Sequence, residues 1–194
     1  MSSAKERLVE TTRELLWDRG FSATSPGAIL KTSGVGQGSM YHHFTGKEDL
    51  ALAAIARNAE EMRAQVRADL ATPGGAVARI SAFLHRERDV LKGCRFGKLA
   101  QDPDVVESEA MRAEVAEMFA WLRAALAEVL EEGRAAGELP PGLDATRTAA
   151  TIAATLQGGY VLARAAGETL PFEQAVDGLL DLLASVVGAG HPAV

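Results

Sequence analysis

Apolar residues recur at the helical period through every long segment of this chain, and glycine or proline closes each segment. A repeat of 3.6 residues puts side chains at i, i+3, i+4 and i+7 on one face, so each segment must bury a stripe against a neighbour. No stretch alternates in the two-residue period of a strand. Thirty-six alanines against ten aromatics in 194 residues push the same way, since alanine is the strongest helix former. The expectation is an all-α fold of about nine helices.

The punctuation places them. Residues 4–20 carry Leu8, Leu15 and Leu16 at helical spacing, with Gly20 as the stop and Phe21 able to fold back. Ser25 and Pro26 then supply an N-cap and a first helical residue for a short helix through Ala28, Ile29 and Leu30 that ends near Ser33-Gly34. Gly34-Val35-Gly36 makes a turn, a third helix runs from Gln37 to Phe44, and a long one starts at Lys47 and reaches about Leu70. After Thr72-Pro73-Gly74-Gly75 come helices over 76–91, 109–136, 145–166 and 172–187, with 92–103 irregular or a short helix. The expected domains are 1–46, a three-helix head, and 47–194, a helical body.

Charge and cysteine content narrow the functions. The net charge of -6 gives no whole-molecule field for nucleic acid, and a single cysteine, Cys94, excludes an internal disulfide framework. The N-terminus lacks a signal-peptide core, and the apolar run 179–187 is broken by Asp181 and too short for a bilayer, so a cytoplasmic protein is expected. No nucleophile elbow, HExxH, phosphate loop or partnered carboxylate pair is found, so neither an enzyme nor a cofactor is expected.

The specific signal is residues 25–47. Two helices of seven or eight residues joined by a glycine turn make a helix-turn-helix, whose second member can enter a DNA major groove. That second helix offers uncharged hydrogen-bonding groups for base edges or phosphates, while Met40 and Phe44, four apart, can anchor it. Thr24, Ser25, Gln37, Gly38, Ser39, Tyr41, His42, His43 and Lys47 are the candidate DNA-binding residues. Gly38 costs helix stability and fits a place where the backbone approaches a phosphate closely. A Tyr-His-His-Phe run can also be a packing corner; adjacent histidines diverge by about 100° on a helix and lack further ligands, so no metal is expected.

Residues 27–55 resemble the DNA-binding signature of TetR-type repressors, bacterial regulators that act as dimers, matching at Gly34, Val35, Gly38, Tyr41, His42, Phe44, Lys47, Glu48 and Leu50. Gly36 and Gln37 stand where the family usually has Ser and Lys, which removes a hydroxyl cap and a positive charge. Segments 93–99 and 156–164 resemble the LmrA/YxaF-like branch. The resemblance implies a ligand-responsive transcriptional repressor, a palindromic double-stranded operator, a small-molecule effector and a four-helix dimer interface.

Residues 1–50 hold six basic groups (Lys5, Arg7, Arg13, Arg19, Lys31, Lys47) and six acidic ones (Glu6, Glu10, Glu14, Asp18, Glu48, Asp49), so the head is neutral and one copy should bind DNA poorly. A homodimer is therefore expected. Phe172, Val176, Leu179, Leu180, Leu183 and Val187, with Ala149, Ile152, Leu156, Gly159 and Ala163, form stripes on the last two helices that fit a dimer face or a packing surface inside one subunit. Met62, Phe83, Phe96, Met118, Phe119, Leu122, Gln157 and Tyr160 are candidate effector-wall residues, with ordinary core packing as the plainer reading. The alternative to a repressor is a dimeric helical carrier of small molecules with a degenerate head.

Overall fold

The structure is a computed structural model that describes residues 2–189, so Met1 and residues 190–194, the outer ends of the two expected domains, lie outside it. Among the described residues it holds ten helices and no strand: α1 Ala4–Arg19, α2 Pro26–Ser33, α3 Gln37–His43, α4 Lys47–Leu70, α5 Ala76–His85, α6 Arg95–Leu99, α7 Pro103–Glu107, α8 Glu109–Ala135, α9 Ala145–Ala166 and α10 Leu170–Ala189. The described residues divide into two compact units, 2–62 with 94–118, and 63–93 with 119–189.

The all-α expectation holds, with ten helices rather than nine. The tenth comes from residues 92–103, expected to give at most one short helix: α6 and the start of α7 fall there, separated by the turn before Pro103. α5 stops at His85, six residues short of the expected Leu91, because Arg86 turns to an extended ψ of 144°. The caps of the head follow the sequence. Ser3 and Glu6 form a reciprocal capping box at α1, the Ser25 hydroxyl accepts from the Ala28 N–H at 3.2 Å, and Gly34 closes α2 at φ +65°.

In the first unit Leu8, Leu15, Ile29, Val35, Met40, Phe44 and Leu50 form one buried cluster that joins α1, α2, α3 and α4. Beside it lies a polar seam. Arg13, 6% exposed, donates from Nε to Asn58 Oδ1 at 2.8 Å and from Nη1 to Glu10 at 2.7 Å and Glu61 at 2.8 Å. Burial works against its charge, but the hydrogen bonds it donates to Glu61 and Glu10 outweigh that and raise its pKa. The seam fixes α1 against α4.

In the second unit α10 packs on α9 and on α5. Here the apolar stripes take the second of their two readings, packing inside one subunit. Phe172, Val176, Leu179 and Leu183 of α10 and Ala149, Ile152, Leu156, Gly159 and Ala163 of α9 are all buried within the unit, and Leu180 and Val187 are half-buried. A side chain on Gly159 would meet Phe172 at 3.0 Å, so the small residue serves this internal approach. The large apolar side chains left exposed on these helices are different ones: Val161, Leu162, Leu170, Leu182 and Val186. No helix among the described residues is long and apolar enough to cross a membrane.

Candidate nucleic-acid interface

α3 is seven residues long and cannot stand alone, so its position comes from its anchors. Met40 is fully buried and Phe44 is 5% exposed, which pins one side into the cluster. Helical geometry then turns Gln37, Gly38, Tyr41, His42 and His43 outward; all are exposed, Ser39 is half-buried, and Tyr41 shows 53% of its surface. The His42 and His43 rings meet edge-on at 4.9 Å, and no metal-holding cluster occurs among the described residues. Gly36 caps α3 without a side-chain hydrogen bond.

The other candidates separate. Ser25 is exposed, with its hydroxyl committed to capping α2. Lys47 opens α4 and holds its Nζ 3.8 Å from the centroid of the Phe21 ring, a cation–π contact that fixes the ammonium. Thr24 is corrected: at 1% exposure its hydroxyl donates to the Gly20 carbonyl at 2.6 Å, so its side chain closes the turn after α1 and is not available to DNA. The outward set is thus α3 with Ser25 and Lys47 at its flanks.

The sequence reading missed what braces this head. Asp102, 8% exposed and eighty residues away in the chain, accepts the Phe21 N–H at 2.7 Å, the Ser22 N–H at 3.0 Å and the Ser22 hydroxyl at 2.5 Å. A Cβ on Gly20, at φ +83°, would lie 2.6 Å from that carboxylate, so the turn needs glycine twice over. Lys98 donates to the Trp17 carbonyl at 2.6 Å, while Arg95 covers the Trp17 ring at 3.9 Å and donates to Glu14 at 2.6 Å. Cations at the last carbonyls of α1 also suit its dipole. No local pattern announces these contacts; Asp102 beside Pro103 reads as an ordinary loop acid.

Of the effector-wall candidates, Met62, Phe96 and Met118 belong to the first unit, where Phe96 and Met118 are core and Met62 is half-buried. Phe83, Phe119, Leu122, Gln157 and Tyr160 belong to the second: Phe83, Leu122 and Tyr160 are buried, Phe119 and Gln157 half-buried. The Tyr160 ring packs 4.9 Å from Phe172.

Two short helices across a left-handed glycine turn, the second anchored on one side and polar on the other, define a helix-turn-helix DNA-binding protein. Residues 8–54 match the family described as bacterial regulatory proteins, tetR family, and residues 75–179, over half the chain, match the tetracyclin repressor-like C-terminal domain. The Bacillus subtilis HTH-type transcriptional regulator YxaF is 26% identical over 166 residues, 82% of this chain and 84% of that one. The solved structure of reduced Escherichia coli NemR aligns with a TM-score of 0.83 at 26% identity, covering 93% of this chain and 97% of that chain. A TetR transcriptional regulator from Chloroflexus aurantiacus gives 0.83 at 30% identity over 93% and 94% of the two chains. The chain belongs to the TetR family: it is a transcriptional regulator and not an enzyme.

Proposed function

We propose that the protein is a homodimeric repressor that grips a two-fold symmetric operator in the cytoplasm and releases it when a small apolar effector enters the body. The exposed, uncharged face of α3 on its buried Met40–Phe44 anchor carries the reading, because hydrogen-bonding side chains on a rigid mount are what base edges require. Half-sites lie about one helical turn apart or a multiple of it. Residues 1–46 are the DNA-binding domain and 47–194 the effector and dimer domain. The effector is proposed to lodge against Phe83, Phe119, Leu122, Gln157 and Tyr160, with the half-buried Gln157 amide orienting it.

The dimer is proposed to form through α9 and α10, on the face that carries Val161, Leu162, Leu182 and Val186. Gly158 and Gly178 lie on that face, four residues before Leu162 and Leu182. Neither has positive φ, and a Cβ on either would meet nothing within 4 Å. A mid-helix glycine costs about 1 kcal/mol against alanine, so glycines that nothing inside the subunit requires fit the close approach of a partner helix.

Gel-shift titration on DNA selected from a random pool tests the reading head. Tyr41→Phe will weaken binding several-fold, as expected for a lost hydrogen bond worth about 1 kcal/mol. Lys47→Ala will weaken it about tenfold and flatten the salt dependence by about one unit. Both variants should keep wild-type circular dichroism, and wild-type affinity in both would put the reading head elsewhere.

Gly38 supports a sharper expectation. It has no positive φ, and a Cβ there would touch nothing within 4 Å. Gly38→Ala will therefore raise the thermal midpoint slightly, by a stability gain of up to about 1 kcal/mol, while it weakens operator binding. A variant both more stable and equally tight on DNA would remove phosphate approach as the reason for this glycine.

A further inference from the structure

The segment after α5, Arg86 to Val90, and the first turns of α10 line an open cavity of about 370 Å³ within the second unit. None of the effector-wall candidates lines it. Leu84, Phe172 and Val176 are its buried apolar floor, and Glu87, Glu173 and Asp177 are exposed at its edge. Between floor and edge stands Arg88, half-buried. Its Nε donates to the Arg86 carbonyl at 3.0 Å, its Nη1 to the Tyr160 hydroxyl at 3.2 Å, and its Nη2 to the Phe83 carbonyl. The guanidinium also lies 5.7 Å from the Phe83 and Phe172 ring centroids.

All of these partners are neutral. The acids nearby are engaged elsewhere or stand in solvent: Asp177 meets His85 Nε2 at 3.0 Å, Glu173 accepts the Thr169 hydroxyl at 2.7 Å, Asp69 holds Arg86 at 2.9 Å, and Glu87 is exposed. A guanidinium taken partly out of water ordinarily faces an acid. This one is clamped by three hydrogen bonds and retains one further N–H on each terminal nitrogen, donors that a carboxylate can accept. Arg86 registers the excess positive field: burial first, then the neighbouring Arg88, push its pKa below the ordinary arginine value against the pull of Asp69.

We propose that this cavity is a binding site for a small aliphatic monocarboxylate, its carboxylate on the two remaining Arg88 N–H groups and its hydrocarbon on Leu84, Phe172 and Val176. The edge sets selectivity. A second carboxylate at the far end of the ligand would lie against Glu87, Glu173 or Asp177, so a diacid is rejected where a monoacid of the same length is held.

Isothermal titration of the full-length protein without DNA tests this independently of the operator. Hexanoate will bind saturably, and hexanamide and adipate at least about tenfold more weakly, as expected when an ion-paired hydrogen bond is lost or a like charge added. Arg88→Gln will abolish the preference for hexanoate over hexanamide, and Glu87→Lys will raise adipate binding toward that of hexanoate. No saturable hexanoate binding up to about 10 mM, far weaker than an oriented ion pair should give, overturns the proposal. So does equal binding of the amide, or an unchanged preference in a folded Arg88→Gln protein. If Arg88→Gln does not fold, the Glu87→Lys result decides: a gain for adipate supports the site and no gain overturns it.

Discussion

Leu182→Glu will convert the dimer to monomers and lower operator affinity by about two orders of magnitude or more. Leu182 is 66% exposed in the subunit, so the substitution leaves the subunit's own core untouched. In a helix–helix seam the same carboxylate would lose its water and face the apolar side chains of Val161, Leu162 and Val186. The effect on DNA is large because the head is neutral. Six basic and six acidic groups among residues 1–50 leave little counterion release per copy, so tethering the second head to the first supplies much of the affinity. Sedimentation equilibrium and fluorescence anisotropy on one operator check both halves. A variant that stays dimeric moves the interface off this face, and a monomer that binds like wild type removes the need for two heads.

Asp102→Asn will destabilise the protein by about 2–3 kcal/mol at neutral pH and weaken DNA binding through misplacement of the head. The carboxylate accepts three hydrogen bonds at the turn between α1 and α2, and an amide in its place turns donors toward donors. Burial alone would push this carboxyl up. The Ser22 hydroxyl, the Ser22 and Phe21 N–H groups and the Val105 N–H outweigh it and hold the pKa below the ordinary aspartate value. A pKa lower in the folded than in the unfolded chain gives stability that is complete above the unfolded value and is lost as pH falls through the folded one. Wild type and Asp102→Asn should therefore differ fully in urea midpoint down to about pH 4 and converge only as pH falls further, through the lower folded pKa. A gap between them that ignores pH would mean the charge of Asp102 plays no part.

The head shows how far local pattern reaches. Ser25, Pro26 and Gly34 act within a few residues of themselves, and each takes the role its position in the chain implies. Met40 and Phe44 anchor α3 as their spacing requires. Thr24 failed because a threonine beside a helix cap reads as a surface hydroxyl; only the folded turn shows that the Gly20 carbonyl is its partner. The body shows the opposite limit. Two apolar stripes at helical spacing fit a dimer face and an internal seam equally well, and α9 and α10 bury them against each other. Arg88 was silent in the sequence, because an arginine after a helix has meaning only once its hydrogen-bond partners turn out to be neutral.

By itself the sequence determined the helical class, the caps, the helix-turn-helix and its exposed polar set, since these follow from φ preferences, side-chain period and hydrogen bonds spanning at most one helical turn. The tertiary structure decided which apolar stripe faces inward, that the Thr24 hydroxyl is spent on the Gly20 carbonyl, and that Asp102, Lys98 and Arg95 hold the head from eighty residues away. Those outcomes depend on which surfaces meet in space, and separation along the chain carries no record of that.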